Sequence, residues 1–349
     1  MKMLKMLTGV AVCGVILICN LLLNIESIHM SEQTDCLFFQ NQNGNWSGKE
    51  IIRIRENEKQ QDEPQQFTVW GQADGQQVQN PELARKAETS ALWLLGPSSL
   101  VITEPIYLEE KDTRGCLIGE HTAQELFGSS EVVGRSVVIG EQNLIIRGVL
   151  RSISDVLVRN AAENEDVDGQ VLNRLNLKRT AGDGASWNGD DFLIRNSMDA
   201  VQIPYPMVLD RVSLSQLLLP FTVLVTMISF LGKRLSQNKN QPFACGLLVI
   251  LLCTAVIVWV KLFWPEFTMA QKIAPGKWSD FNYFTALWKQ EVKAAAQMEV
   301  MEKTVIDAKI WSAFHRSQLY TFVMFLGILL HGHSPRGQSD EKEYRPEKH

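Results

Sequence analysis

The sequence predicts an α+β extracytoplasmic domain carried on a transmembrane α-helical bundle of about four helices. Three observations lead there. The apolar residues lie in four dense runs, although the 349 residues together, with net charge -5 and mean hydropathy -0.06, average out to those of a soluble protein. The long polar stretch between the first two runs mixes strand and helix signals. The cations beside the runs place that stretch outside the cell.

The first run, Met6 to Leu23, follows Lys2 and Lys5 and contains a single amide, Asn20. It approaches the ~20 residues needed to cross a hydrocarbon core. A cleaved signal peptide would have a shorter apolar region, roughly 7–15 residues, and a small-x-small cleavage site. The chain instead continues Asn24-Ile25-Glu26-Ser27-Ile28-His29, so residues 1–24 are read as a signal anchor. Leu214 to Gly232 and Phe243 to Val260 are uncharged and similarly long, giving transmembrane helices over 213–234 and 242–263. Pro220 lies inside the second span, where a kink is tolerated by neighbouring helices. The fourth run, Ser317 to Gly332, has an uninterrupted apolar core of only about 12 residues. Extension back through Ile310, Trp311 and Phe314 brings His315 and Arg316 to one interface, and the span is set at 317–333.

Orientation follows from the cations. Lys2 and Lys5 precede the first span, and Lys233, Arg234 and Lys239 fill the short loop around 235–241. Arg336, Lys342, Arg345 and Lys348 lie in the polar tail, 334–349. All three segments fall in the cytoplasm if the spans number four. Residues 25–212 and 264–316 are then extracytoplasmic.

Residues 25–212 hold 29 acidic against 17 basic side chains, a balance that disfavours nucleic acid as a partner and is sufficiently explained by solubility. Ile51–Arg55, Phe67–Trp70 and Leu100–Thr103 alternate like half-buried strands, with a polar loop over Glu56–Gln66. Pro81–Leu95 reads as a helix, N-capped by Asn80 and stopped by Gly96-Pro97. The most ordered passage is Gly115–Leu150. Cys116-Leu117-Ile118 is a short strand, and His121–Phe127 a helix with Ala123, Leu126 and Phe127 on one side and Gly128 as its stop. Gly134 is a turn, and Ser136–Ile139 and Leu144–Leu150 form a hairpin around Gly140-Glu141-Gln142-Asn143.

The stretch Cys116-Leu-Ile-Gly-Glu-His-Thr-Ala-Gln-Glu-Leu-Phe-Gly, then Val133-Gly134-Arg135, then Ile146-Arg147-Gly148-Val149-Leu150, resembles the periplasmic core domain of MacB-like ABC transporter permeases. The motif match covers about 35 residues, and one span before the domain with three after it is similar to that family's layout. The resemblance implies a MacB-like periplasmic core, a permease working as a dimer with itself or a related permease, and a separate ABC ATPase subunit. It carries over no catalytic residues and no cofactor. The chain departs from the family in its short cytoplasmic loop, Lys233 to Gln241, where family members usually carry a longer segment with a coupling helix. It has no Gly-x-x-x-x-Gly-Lys-Ser/Thr phosphate loop, so any ATP must be hydrolysed elsewhere.

The second outside segment is aromatic. Ser279 or Asp280 caps a helix from Phe281, on which Phe284, Trp288, Val292, Ala295, Met298 and Val305 keep helical spacing. It suits either the membrane surface, making lipid a partner, or packing on the larger domain. No catalytic constellation emerges, and the chain does not read as an enzyme. Cys13, Cys19, Cys245 and Cys253 fall in spans, and the outside pair Cys36 and Cys116 is weak support for a disulfide. No spacing suggests zinc. Asp166, Asp168, Asp183, Asp190 and Asp191 lack the alternation of a calcium loop and read as solvated. Ser98-Ser99 lacks a nucleophile-elbow context, His29 and His121 have no evident partners, and Lys261 and His315 read as interfacial.

Overall fold

Short apolar segments separated by glycine and asparagine turns build one nine-stranded sheet, and long apolar runs build helices. The computed structural model describes residues 2–31, 36–161, 171–179, 189–237 and 281–333, with positions 250, 253–254, 256–258 and 261. In chain order the elements are α1 (Lys2–Ser31), β1 (Cys36–Gln40), α2 (Gly48–Glu58), β2 (Phe67–Asn80) and β3 (Arg85–Leu95). Then come β4 (Gly115–Gly119), α3 (Glu120–Phe127), β5 (Ser136–Ile139), β6 (Gln142–Leu150), β7 (Val156–Asn160) and β8 (Arg174–Lys178). The last are α4 (Asp190–Arg195), β9 (Val201–Gln202), α5 (Tyr205–Gln216), α6 (Leu218–Gln237), α7 (Phe281–Val300) and α8 (Val305–His333). They fall into two units. One takes His29–Val208 and Asn282–Ser312; the other takes Met1–Ile28, Leu209–Phe281 and Ala313–His349.

The first unit is α+β. Its strands run β3-β7-β4-β6-β5-β2-β8-β1-β9, and β2 also pairs β3, so six strands close on themselves while β8, β1 and β9 extend from β2. Strand β2 spans both regions because an irregularity between Ala73 and Gln76 redirects it, with Gly75 at φ +68. Its first half adds Phe67 and Val69 to a core with Leu37, Phe39, Ile51 and Phe192. Its second half adds Val78 to a core with Cys116, Ile118, Ala123, Leu126 and Ile146. Trp93 on β3 packs against both.

The Gly115–Leu150 passage folds as expected. β4 leads into α3, which buries Ala123 and Leu126 and ends at Gly128, whose φ of +73 favours glycine at the C-terminal stop. β5 and β6 form the hairpin, and β6 returns parallel to β4.

Three expectations are corrected. Ile51–Arg55 is not a strand but part of α2. The buried residues Ile51, Ile54 and Glu58 recur at helical spacing, and five alternating residues were too few to separate the two periods. Pro81–Leu95 is not a helix. It is the turn and second strand of a hairpin, with Ala87, Thr89 and Ala91 alternating into the interior. The capping signal was real but serves the turn: Asn80 Oδ1 accepts from the Glu82 and Leu83 amides at 3.0 and 3.3 Å. Leu100–Thr103 is not a strand either, because a single turn of 3₁₀ helix, Ser98–Leu100, closes with Val101 and Ile102 bonding back to Ser98.

The second unit is built from helices. On α8, Gly327 packs so closely on α1 that a Cβ there would lie 2.9 Å from Ile16 Cγ1. Arg316 clamps Glu26 through two bonds of 2.6 and 3.0 Å. The second apolar run is broken at Leu217 between α5 and α6. Pro220 removes the amide and crowds the carbonyl of Gln216 four residues earlier, where α5 ends. Among the described residues no helix is long and apolar enough to cross a membrane. Helices α1, α6 and α8 occupy three of the four apolar runs; most of the third, Phe243–Val260, lies outside the described residues, as do 238–241 of the short loop and the tail from 334.

Candidate functional site

The residues weighed for chemistry do not converge. Cys36 and Cys116 stand on β1 and β4 and no disulfide joins them. Burial pushes the Cys116 thiol up to about 12, which keeps it protonated and inert. Ser98 is buried and its hydroxyl bonds both the amide and the carbonyl of Leu108, a structural tie. His121 meets Asp155 at 2.6 Å on the exposed surface, a partner that sequence spacing had not revealed. Asp190 and Asp191 open α4, while Asp166, Asp168 and Asp183 lie outside the described residues. Lys261 and His315 are exposed helical residues. Among the described residues no group of His, Cys, Asp and Glu is placed to hold a metal ion.

Two carboxylates act as internal tethers. Glu58, 3% exposed at the end of α2, takes Arg195 Nε and Nη2 at 2.9 and 3.0 Å and the Asn196 amide at 3.0 Å, joining α2 to α4. Glu104 accepts from the Arg151 and Ser152 amides at 3.0 and 2.8 Å. Burial alone would raise the Glu104 pKa. The Ser152 hydroxyl, those two amides and the charge of Lys309 outweigh it and hold the carboxyl below its ordinary value.

A third ionic cluster joins four elements, all of its residues within the α+β unit. It begins with the start of α8. Thr304-Val305-Ile306-Asp307 is a capping box, in which the Asp307 amide donates to Thr304 Oγ1 at 3.2 Å and the Thr304 amide to Asp307 Oδ2 at 3.0 Å. From β2, Gln72 Oε1 accepts from the Val305 amide at 2.8 Å, satisfying another donor of the first turn. From β8, Arg174 donates through Nη2 to Asp307 Oδ2 at 2.8 Å and to the Glu302 carbonyl at 2.7 Å. The Tyr205 hydroxyl, from the first residue of α5, donates to Asp307 Oδ1. The side chains of Arg174 and Asp307 are 2% and 4% exposed. Phe38 packs edge-on against the Tyr205 ring, centroids 5.0 Å apart. Burial, then the charge and hydrogen bond of Asp307, drive the Tyr205 pKa well above its ordinary value, so the phenol remains a donor.

No protein-family model matches the chain, and no curated protein matches it. Among solved structures, the periplasmic region of MacB from Actinobacillus actinomycetemcomitans is similar, at 13% identity and TM-score 0.40, over 50% of this chain and 91% of that one. The extracellular domain of the noncanonic ABC-type transporter YknZ from Gram-positive bacteria is similar at 12% identity and TM-score 0.33, over 46% and 88%. One neighbour is a periplasmic region and the other the extracellular domain of an ABC-type transporter. At such scores the likeness carries no statement about this chain's activity.

The cluster is built for anchoring rather than chemistry. This buried carboxylate has both oxygens hydrogen-bonded, Oδ2 by Arg174 and the Thr304 amide and Oδ1 by the Tyr205 phenol. It fixes the first turns of α5 and α8 to β8. None of this cluster is read from the sequence, where one helix is expected through Val305; the Thr304-x-x-Asp307 spacing is a local signal that could have exposed one part, whereas Arg174 and Tyr205 lie 133 and 102 residues from Asp307 and share no motif with it.

Proposed function

We propose that the chain is a permease-like membrane subunit of a bacterial ABC transport system. The α+β domain lies outside the cell membrane on four spans, with both termini cytoplasmic. It binds a substrate or partner, or transmits motion; the chain itself catalyses nothing, and a separate ABC ATPase subunit hydrolyses ATP. It works as a dimer with itself or a related permease. The observation that carries this reading is the module of β4, α3, β5 and β6. The residues that resemble the MacB-like core, Cys116 to Gly128, Val133 to Arg135 and Ile146 to Leu150, fold together there as strand, helix and hairpin around one core.

Two further features support it. Exposed apolar side chains crowd α1 (Leu17, Leu21), α6 (Phe221, Val223) and α8 (Phe322, Leu329), as hydrocarbon-facing helices require. The Asp307 junction ties to one strand the first turns of the two helices that continue from the domain into the apolar runs, an arrangement suited to passing motion. A second reading, an extracytoplasmic adaptor or sensor derived from such a permease, is favoured by the short Lys233–Gln241 connection, which is too brief for an ordinary coupling helix.

A pull-down of the tagged, detergent-solubilised chain from its native membranes, followed by mass spectrometry, separates the two. The permease reading expects an ABC-type ATPase in near-stoichiometric amount, lost when Lys233–Gln241 is deleted. Reproducible absence of such an ATPase from an intact complex would favour the adaptor.

A further inference from the structure

The corner between α7 and α8 sets a methionine sulfur against a buried arginine, both within the α+β unit. Met301 follows the last residue of α7, its amide donates to the Gln297 carbonyl at 3.0 Å, and its side chain is half-buried. Arg174 reaches it from β8. Its Nη1 meets the Met301 sulfur at 3.3 Å, while Nη2 serves the Glu302 carbonyl and Asp307. A thioether is a weak acceptor. Arg174 Nε is buried as well and bonds nothing among the described residues. A guanidinium at 2% exposure is therefore short of acceptors, and Met301 occupies the place of one. This sulfur is also within reach of solvent. In the same unit Met30, Met198 and Met298 are only 2%, 6% and 4% exposed.

We propose that Met301 is an oxidation site whose sulfoxide locks the α7–α8 corner to β8 through Arg174. A two-electron oxidant, hydrogen peroxide, supplies the oxygen. Its O–O bond breaks, an S–O bond forms, the sulfur is oxidised, and the second peroxide oxygen leaves as water with both hydrogens. The product carries an oxygen where the thioether offered a weak acceptor, and its bond from Arg174 Nη1 is charge-assisted. Methionine is unbranched with three rotatable bonds, so the sulfur withdraws toward the open side and seats the oxygen against the cation. A sulfoxide ordinarily disrupts the packing around it. Here the new polar atom faces a cation short of acceptors, so the sign reverses. Sulfoxide reductases restore the thioether, with thiols as the reductant. None of this depends on coupling to an ATPase.

The test treats the full chain in detergent with dilute hydrogen peroxide and follows it by peptide mass spectrometry and thermal unfolding. Met301 is expected to gain its oxygen several-fold faster than Met30, Met198 and Met298. The unfolding midpoint should then rise by roughly 2–4 °C. It should return after treatment with sulfoxide reductases for both epimers and dithiothreitol. Met301→Leu keeps the bulk without an oxidisable sulfur, so the rise should disappear while any effect of other methionines persists. Met301→Gln sets an amide oxygen at similar reach and should show the raised midpoint without oxidant. Oxidation of Met301 no faster than of the three buried methionines would overturn the proposal. So would an equal rise in Met301→Leu, which would place the effect at another residue. A midpoint that falls on oxidation in the wild-type chain but not in Met301→Leu would overturn it too, since the oxygen would then disrupt the corner instead of locking it.

Discussion

Asp307 holds an arginine, a phenol and a backbone amide at one buried point, and its value lies in those shared bonds. Replacing it with leucine strands the Arg174 charge at 2% exposure, the circumstance in which a broken buried pair costs about 3–5 kcal/mol. Removing both partners, as Arg174→Met with Asp307→Leu, relieves the stranded charge, so the double variant should be markedly less destabilised than the two single losses summed. Thermal unfolding of the solubilised chain and its three variants reads this directly, and strict additivity would show that the pair does not interact as described. The sequence holds a local signal for one part of this site, which a helix read through to Val305 passes over. A Thr-x-x-Asp ahead of an apolar run announces a helix start by local hydrogen bonding. The arginine and tyrosine arrive through the pairing of β8 and the start of α5, which local periodicity does not encode.

The same division between local and distant forces explains which elements were legible. Glycine-punctuated, strongly apolar strands and the capped helix α3 satisfy their own local rules, so Gly115–Leu150 was readable throughout. Ile51–Arg55 was not, because five residues fit either period and the decision came from burial against β-sheet neighbours. The aromatic helix was legible as α7, but it stops at Val300 instead of running on to Val305, because Thr304 caps a new helix. Its expected face is also divided, with Met298 buried at 4% and Trp288 exposed at 71%. For α2 the helix makes a prediction that the strand does not. A strand would set Ile52 with Ile54 and oppose Ile51, whereas the helix buries Ile51 with Ile54 and leaves Ile52 half-buried. Ile51→Ala should therefore cost about 2–5 kcal/mol, and Ile52→Ala clearly less, in the unfolding midpoint of the full chain. The reverse order would restore the strand.

At the scale of the whole molecule, the physical question is what covers the apolar side chains of α1, α6 and α8. Leu21 at 62% exposed, Leu319 and Phe322 at 58%, and Phe221 and Val223 at 55% belong to helices whose polar complement is sparse. Water disfavours such a surface by roughly 25 cal/mol per Å² of apolar area, whereas a bilayer accepts it without cost. The cations then decide which way the helices point. Lys2, Lys5, Lys233 and Arg234 flank the first two runs at the ends away in sequence from 25–212, and the tail from Arg336 follows the fourth, so under the proposed four-span reading the positive-inside rule favours translocation of that domain. Two treatments of a bacterial host expressing a C-terminally tagged chain make this concrete. Alkaline washing of membranes should leave the chain in the pellet, and its release would end the membrane reading. Trypsin added to intact spheroplasts should cut within 25–212, where lysines and arginines are plentiful, while the tag stays protected until the cells are lysed. A tag digested before lysis would reverse the orientation and, with it, place the Asp307 junction on the cytoplasmic side.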